Sequence, residues 1–184
     1  MTSAPSLPVL VAEIRARPPA AGSTRIVAID GPGGAGKSTL ARTLASELGA
    51  QVVQTDDFAS WDEPVDWWPR LLAEVLEPLA RGDVARYEPT RWGGPPKPPV
   101  EVHPGGDVVL EGVTASRAAF RPYLAYAVWV DTPRALRLQR GLERDGADAR
   151  PLWERWMAAE DGYVEREQPH VHADRVLRGD VPFA

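Results

Sequence analysis

The octapeptide GPGGAGKS, Gly31 to Ser38, decides the fold of this 184-residue chain. It fills every position of the pattern G-x-x-x-x-G-K-[ST]. The β-branched run TRIVAID (24–30) precedes it, and leucines at every fourth position follow it, which is typical of a buried strand and a helix. Such a turn lets successive backbone N–H groups face one anion at the positive end of a helix dipole. The sequence therefore predicts a phosphate-binding loop.

The rest of the chain alternates short apolar runs with segments of helical spacing. Four further runs are typical of strands: QVVQT (51–55), DVVLEG (107–112), AYAVWVD (125–131) and ADRVLRG (173–179). The spacing of apolar and arginine side chains predicts helices over 7–17, 64–81, 132–150 and 152–168. The Pro- and Gly-rich segment 86–106 predicts an ordered loop or a short edge hairpin.

This alternation predicts an α/β protein with the P-loop NTPase fold. We expect a parallel sheet of about five strands with helices on both faces and ligand sites beyond the carboxyl ends of the strands. The arginine-rich helix, at about 133–150, is expected to form a lid. Residues 1–22 are predicted to be an N-terminal helical extension, and residues 23–184 a single kinase-like domain.

Composition excludes several classes of site and partner. The chain has no cysteine, which excludes disulfides and thiolate metal sites, and its net charge of −5 argues against a nucleic-acid partner. It shows neither a signal-peptide pattern nor a run of about 18 apolar residues, so we expect a soluble cytoplasmic protein with no membrane partner. Asparagine is absent, which excludes the Asn-Lys-x-Asp motif of guanine-specific switch proteins.

The phosphate-binding loop predicts a nucleoside triphosphate and Mg²⁺ as ligands. ATP is the expected nucleotide and GTP the alternative. Lys37 can reach the β- and γ-phosphate oxygens, while the Ser38 hydroxyl and Glu111, at the end of the strand DVVLE, are candidate Mg²⁺ ligands. The predicted nucleotide-binding residues are Gly31, Gly33, Gly34, Ala35, Gly36, Lys37, Ser38, Thr39 and, from the arginine-rich helix, Arg144.

Further motifs follow the loop in a fixed order. The acidic stretch TDDFASWDEP (55–64) comes after the second strand, a segment from Tyr87 to Arg91 follows, then VVLEG, and then the pattern R-L-x-R-x-x-x-R-D from Arg137 to Asp145. In this order, over about 25–179, the chain resembles the uridine kinase family of P-loop nucleoside kinases. The phosphate loop alone is shared by very many proteins, but the ordered set is much more specific.

The resemblance implies a role for each matching residue. Asp56 would be the general base for the acceptor hydroxyl, Asp62 would hold sugar hydroxyls, and Tyr87 would flank the substrate. Arg137 and Arg140, with Arg144, would clamp the transferring phosphate; their spacing also puts all three on one helix face. Lys37, Asp56, Arg137 and Arg140 are the predicted catalytic residues. The predicted substrate-binding residues are Asp57, Phe58, Trp61, Asp62, Tyr87 and Arg91.

The chain departs from the family pattern at the positions that recognise the substrate. Ala59 stands where the family has an aromatic residue, and no histidine occupies the base-reading place, where Arg91 or Trp92 lies instead. Four tryptophans could wall a pocket for a planar base or cover an apolar or sugar face: Trp61, Trp67, Trp68 and Trp92.

These observations predict an ATP-dependent kinase for a hydroxyl of a small molecule, with a nucleoside such as uridine or cytidine as the first acceptor. Alternatives are a kinase of a non-nucleoside compound and a nucleoside monophosphate kinase, in which Arg91 and Arg117 would hold the second phosphate. A nucleotide-dependent binding or regulatory module is the alternative of another class. Both a monomer and a homo-oligomer remain open.

Overall fold

Seven strands occur in the computed structural model, which describes residues 6–60, 62–90 and 95–181. They are β1 (Thr24–Asp30), β2 (Gln51–Gln54), β3 (Ala85–Tyr87), β4 (Val100–Val102), β5 (Gly106–Glu111), β6 (Leu124–Asp131) and β7 (Arg175–Arg178). Five of them form one sheet in the order β2-β5-β1-β6-β7, and every neighbouring pair is parallel. The predicted fold class and number of strands are therefore confirmed.

The helices cover both faces of this sheet. They are α1 (Leu7–Arg15), α2 (Lys37–Leu48), α3 (Trp68–Leu71), α4 (Glu77–Arg81), α5 (Arg134–Asp145), α6 (Arg150–Glu167) and α7 (Pro169–His172). Successive residues of a strand point to opposite faces. Accordingly, Val27 and Ile29 of β1 pack in one apolar cluster with α1 and α2, while Ile26 and Ala28 pack in a second cluster.

The segment predicted as a helix over 64–81 is helical only from Trp68. Between α3 and α4 the backbone forms a π-helical turn, Leu72–Leu76, and α4 follows with Pro78 near its start. Proline has no N–H to donate, and in a regular α-helix its ring clashes with the carbonyl four residues earlier. The wider π turn just before Pro78 relieves that crowding.

The segment 86–106 contributes an antiparallel hairpin rather than a featureless loop. Strands β3 and β4 pair Ala85 with Val102 and Tyr87 with Val100. Between them lies the proline-rich run that carries Lys97. Of the two predicted alternatives, an ordered loop and a short edge hairpin, the structure has a hairpin, which forms a separate two-stranded sheet.

Helix α1 is built into the apolar core. Leu10, Val11 and Ile14 are buried in the same cluster as β1 and α2, and Glu13 accepts hydrogen bonds from Tyr126 on β6 and from Arg175 on β7. The domain boundary at residue 22 stays a prediction. Within the described parts of the chain, no helix is both long enough and apolar enough to cross a membrane.

Candidate functional site

A cleft of about 1330 Å³ opens beyond the carboxyl ends of β2 and β5. It is larger than a usual small-molecule pocket. The phosphate loop forms its floor. Its charged lining residues are Lys37, Asp56, Lys97, Glu111, Arg140, Arg144, Asp145 and Asp180.

The loop has the backbone shape that its glycines allow. Gly34 and Gly36 have φ of +75° and +98°, conformations that side-chain-bearing residues rarely adopt. Lys37 begins α2, and its ammonium donates to the Pro32 carbonyl at 2.9 Å, across the loop. The loop residues Gly33 to Thr39 all line the cleft, whereas Gly31 lies behind it at the end of β1.

Asp30 fixes the start of the loop and was not singled out from the sequence. Its fully buried carboxylate accepts the Gly31 N–H at 2.6 Å, the Thr114 N–H at 2.9 Å and the hydroxyl of Tyr163 at 2.7 Å. Ser116 donates to it through both N–H and hydroxyl. One carboxylate thus ties the loop to the segment after β5 and to α6.

Two candidate metal ligands lie together at one end of the loop. The Ser38 hydroxyl donates to Glu111 at 3.1 Å. Burial raises the pKa of Glu111, the nearby charge of Lys37 opposes that rise, and the charge of Asp56 adds to it. Such a partly desolvated carboxylate beside a hydroxyl fits a Mg²⁺ site. The described residues contain no cluster of three acidic or histidine ligands, so phosphate and water oxygens would complete the coordination.

The two adjacent aspartates after β2 have different surroundings. Asp56 is exposed and lines the cleft with Gln54 and Glu111. Asp57 is buried, and it accepts hydrogen bonds from the Tyr87 hydroxyl at 3.2 Å and from Lys97 at 2.7 Å. Of the pair, only Asp56 is therefore placed to meet an acceptor in the cleft.

Lys97 lines the cleft from the β3–β4 hairpin, and the sequence did not single out this residue as a site residue. Two prolines on each side of it restrict its backbone. Its side chain is 54% exposed although it is paired with Asp57. The chain has only two lysines, Lys37 and Lys97, and both line the same cleft. That shared position makes Lys97 a second lysine that could contact a ligand in the cleft.

None of the described aromatic residues that were candidates for touching substrate lines the cleft, whereas Trp153 and Trp156 do. Phe58, Trp67 and Tyr87 are each 4% exposed and pack together in the core. The rings of Phe58 and Tyr87 lie 4.7 Å apart. Trp68 is covered by the guanidinium of Arg117, 5.1 Å from its ring centre. Burial of apolar rings outweighs their exposure in a polar cleft, so the prediction that Phe58 and Tyr87 touch substrate is corrected. Trp67 and Trp68, which were possible walls of a pocket, do not line the cleft either.

The three arginines predicted as a clamp divide into two kinds. Arg140 lines the cleft and donates to the carbonyls of Gly34 at 3.1 Å and Gly179 at 3.0 Å. Arg144 lines it too, with Asp145 as its ion-pair partner. Arg137 is instead buried and donates to the Thr132 carbonyl and to Glu160. The predicted direct role of Arg137 is corrected, because that guanidinium faces α6 rather than the cleft.

Two further predicted residues that the structure describes, Asp62 and Arg117, do not line the cleft. Trp61 and Arg91 lie outside the described residues, as does Trp92. Asp62 is exposed and does not line the cleft. Arg117 is buried, donating to the Val65 carbonyl at 2.7 Å and to Glu167 at 3.3 Å. Arg117 therefore does not face the cleft in the way that a second-phosphate ligand would require.

Gly34 permits a specific test of the loop. A Cβ there would lie 2.7 Å from the backbone oxygen of Arg137. Gly49, at the end of α2, has a similar φ of +65°, but a Cβ there would have nothing within 4 Å. We expect Gly49→Ala to cost about 1–2 kcal/mol of unfolding free energy, which is the left-handed penalty alone. Gly34→Ala should cost more and should weaken Mg·ADP binding at least about tenfold, because the loop must move.

Denaturant unfolding and titration with Mg·ADP measure the two quantities. The Gly49→Ala protein serves as the matched control, with an unchanged affinity for the nucleotide. Equal affinities of the two variants would mean that the Gly34 turn does not shape the phosphate site.

Comparison of the sequence with known proteins points to the loop region. The cytidylate kinase family model matches residues 27–59. The bifunctional pantoate ligase/cytidylate kinase of Gloeobacter violaceus is 48% identical over 54 residues, which are 29% of this chain and 10% of that protein. The chain thus spans about a tenth of that relative.

Comparison of structures covers nearly the whole chain. A possible uridine kinase from Bacillus stearothermophilus superposes with a TM-score of 0.70 at 22% identity, covering 92% of this chain and 96% of the other. A provisionally assigned fructose transport system kinase from Silicibacter sp. TM1040 gives a TM-score of 0.69 at 17% identity, covering 94% and 99%. A sugar kinase from Janibacter sp. HTCC2649 gives 0.52 at 20% identity, covering 86% and 87%. The similarity to uridine kinase-like proteins that the motifs predicted is therefore confirmed at the level of the fold.

Proposed function

We propose that this protein is an ATP-dependent kinase that transfers the γ-phosphate of ATP to a hydroxyl of a small molecule. One observation carries the proposal: a complete phosphate loop and the carboxylate of Asp56 line the same cleft. The kinase neighbours in fold and the match to the cytidylate kinase family support a P-loop small-molecule kinase.

The described residues fit the nucleotide and its metal. Gly33 to Ser38 would hold the phosphates, with Lys37 beside the β- and γ-oxygens, and Ser38 and Glu111 would hold Mg²⁺. Bound Mg²⁺ neutralises part of the phosphate charge. Arg140 and Arg144, on the lid helix α5, contribute positive charge to the lining of the same cleft.

Asp56 supplies the proton acceptor. The hydroxyl oxygen of the acceptor forms a bond to the γ-phosphorus, the bond from that phosphorus to the β,γ-bridging oxygen breaks, and ADP leaves with the bond electrons. The hydroxyl proton passes to the Asp56 carboxylate. The Asp56 carboxylate is exposed and lines the cleft, so it can take this proton, whereas Asp57 is buried and does not line the cleft.

A nucleoside such as uridine or cytidine is the first candidate acceptor, since the ordered motifs resemble those of uridine kinases. A sugar or another polyhydroxy compound is the second candidate. The observation that favours the second is the chemistry of the acceptor end of the cleft. Gln54, Asp56 and Lys97 offer hydrogen bonds there, while Trp67 and Trp68 pack away from it.

Acceptor-dependent formation of ADP tests this proposal. The purified protein is incubated with Mg·ATP and with uridine, cytidine, pentoses, hexoses, polyols and nucleoside monophosphates in turn. We expect a nucleoside, a sugar or a polyol to stimulate ADP formation well above the rate with ATP alone. Stimulation by monophosphates only would indicate a nucleoside monophosphate kinase. Tight ADP binding without any stimulation would indicate a nucleotide-dependent regulatory module.

A further inference from the structure

Glu160 on α6 is a buried carboxylate that the proposed reaction leaves without a role. It is 1% exposed. Its Oε1 accepts the Gly33 N–H at 2.7 Å and the Trp156 indole N–H at 2.7 Å. Its Oε2 accepts a hydrogen bond from Arg137 at 3.2 Å. A single side chain therefore joins the phosphate loop, α6 and the lid helix α5.

A carboxylate at this depth is costly to keep charged. Burial raises the pKa of Glu160, and the Gly33 N–H together with the charges of Lys37 and Arg137 opposes that rise. Well-packed apolar residues often replace a buried ion pair without loss of stability. Stability alone is therefore a weak reason for a glutamate here, and the geometry of its contacts gives a stronger one.

Those contacts hold the loop from both sides at neighbouring residues. Glu160 accepts the N–H of Gly33, and Arg140 of the lid helix donates to the carbonyl of Gly34. The fit is close, since a Cβ at Gly33 would lie 3.0 Å from Glu160 Oε1 and 3.2 Å from the Trp153 ring. A displacement of Gly33 would therefore move Gly34 and the arginine bonded to it.

We infer that Glu160 is a positioning residue that sets the Gly33–Gly34 turn against the lid helix. Its hydrogen bond from Gly33 holds the loop in the shape that binds the nucleotide. Its ion pair with Arg137 fixes the first turn of α5, the helix that carries Arg140 and Arg144. The inference rests on the proposed function, because it assigns Glu160 a role in nucleotide binding and phosphate transfer.

Two substitutions separate the reach of the side chain from its charge. Glu160→Asp keeps the charge but is one methylene shorter, so it cannot span Gly33 and Arg137 together. Glu160→Gln keeps the length and an oxygen for the Gly33 N–H, but it presents an amide to Arg137. Glu165→Gln, an exposed position on the same helix, is the matched control.

The measurements are Mg·ADP affinity by titration, thermal unfolding, and turnover with the best acceptor. Loss of a hydrogen bond to a charged group predicts about tenfold weaker Mg·ADP binding for Glu160→Asp. Glu160→Gln should bind Mg·ADP within about threefold of the original protein but turn over about tenfold more slowly, because Arg137 has lost its ion pair. Glu165→Gln should match the original protein in all three.

The outcomes distinguish this inference from the proposed function. If the original protein binds Mg·ADP and both Glu160 variants bind it equally well, the inference is overturned and the proposed function stands. If both variants lost Mg·ADP affinity equally, and in proportion to the fall in their unfolding temperatures, Glu160 would be only a structural residue. An original protein that binds no Mg·ADP would overturn both proposals. Should Glu160→Asp fail to fold, an unchanged turnover of Glu160→Gln would overturn the inference by itself.

Discussion

Asp56→Asn is expected to reduce acceptor-dependent turnover by about 10²- to 10⁴-fold, the range that removal of a general base usually costs. The amide keeps the shape of the side chain but cannot accept the hydroxyl proton. Asp56 lines the cleft without belonging to the phosphate loop, so Mg·ADP affinity should change by less than about threefold. Turnover and a nucleotide titration of the same preparation measure the two effects.

The matched control for Asp56→Asn is Asp66→Asn. Asp66 is an exposed carboxylate outside the cleft, and its substitution makes the same chemical change. Its turnover should equal that of the original protein. Wild-type turnover in Asp56→Asn would remove Asp56 from the reaction and would leave the acceptor without an identified base.

Lys37→Ala is expected to produce the second large effect, on binding and transfer together. The Lys37 ammonium lies within the loop, bonded to the Pro32 carbonyl, and hydrogen bonds to charged groups contribute about 1.5–3 kcal/mol each. Losing one such bond to phosphate predicts roughly 10- to 100-fold weaker Mg·ATP binding. Turnover should fall as well, because charge on the γ-phosphate also goes unneutralised in the transition state.

Lys97→Ala provides the comparison with Lys37→Ala, because Lys97 is the only other lysine in the chain and also lines the cleft. Its partner is Asp57, the neighbour of the proposed base Asp56. Mg·ADP affinity should stay within about threefold of the original, while the KM for the acceptor should rise. If both alanine variants weakened nucleotide binding equally, Lys97 would instead be assigned to the nucleotide-binding part of the cleft.

The sequence was a good guide wherever structure depends on neighbouring residues. The phosphate loop, the strand before it and the helix after it are local, and each appears where it was predicted. The parallel sheet followed from the alternation of strands and helices. Its order β2-β5-β1-β6-β7 was not predicted, because strand order depends on contacts between distant segments.

Side-chain roles were predicted less well, for a physical reason that Arg137 illustrates. Its spacing from Arg140 and Arg144 puts the three side chains on one helix face. Residues on one face can still contact different neighbours, and the spacing does not say which. Arg137 pairs with Glu160, 23 positions away on α6, and no periodicity reveals that partner. Trp67 and Trp68 were similarly named as possible walls of a pocket, whereas they pack against Phe58, Phe120 and Arg117.

Lys97 is the converse case, a residue that nothing in its local sequence marks out. It lies in a proline-rich run, 40 positions from Asp57, and only the β3–β4 hairpin brings it to the cleft. The signal that could have found it is composition. A chain with two lysines among 21 basic residues places both in one site.

Phosphorus NMR of the products tests the central claim most directly, since ADP formation alone does not distinguish transfer from hydrolysis. The protein is incubated with Mg·ATP and the acceptor that best stimulates ADP formation. A kinase acting on a hydroxyl predicts a new phosphate monoester signal that grows in step with ADP, and Asp56→Asn should suppress both signals. If inorganic phosphate were the only product formed besides ADP, whichever acceptor was added, the account would be contradicted.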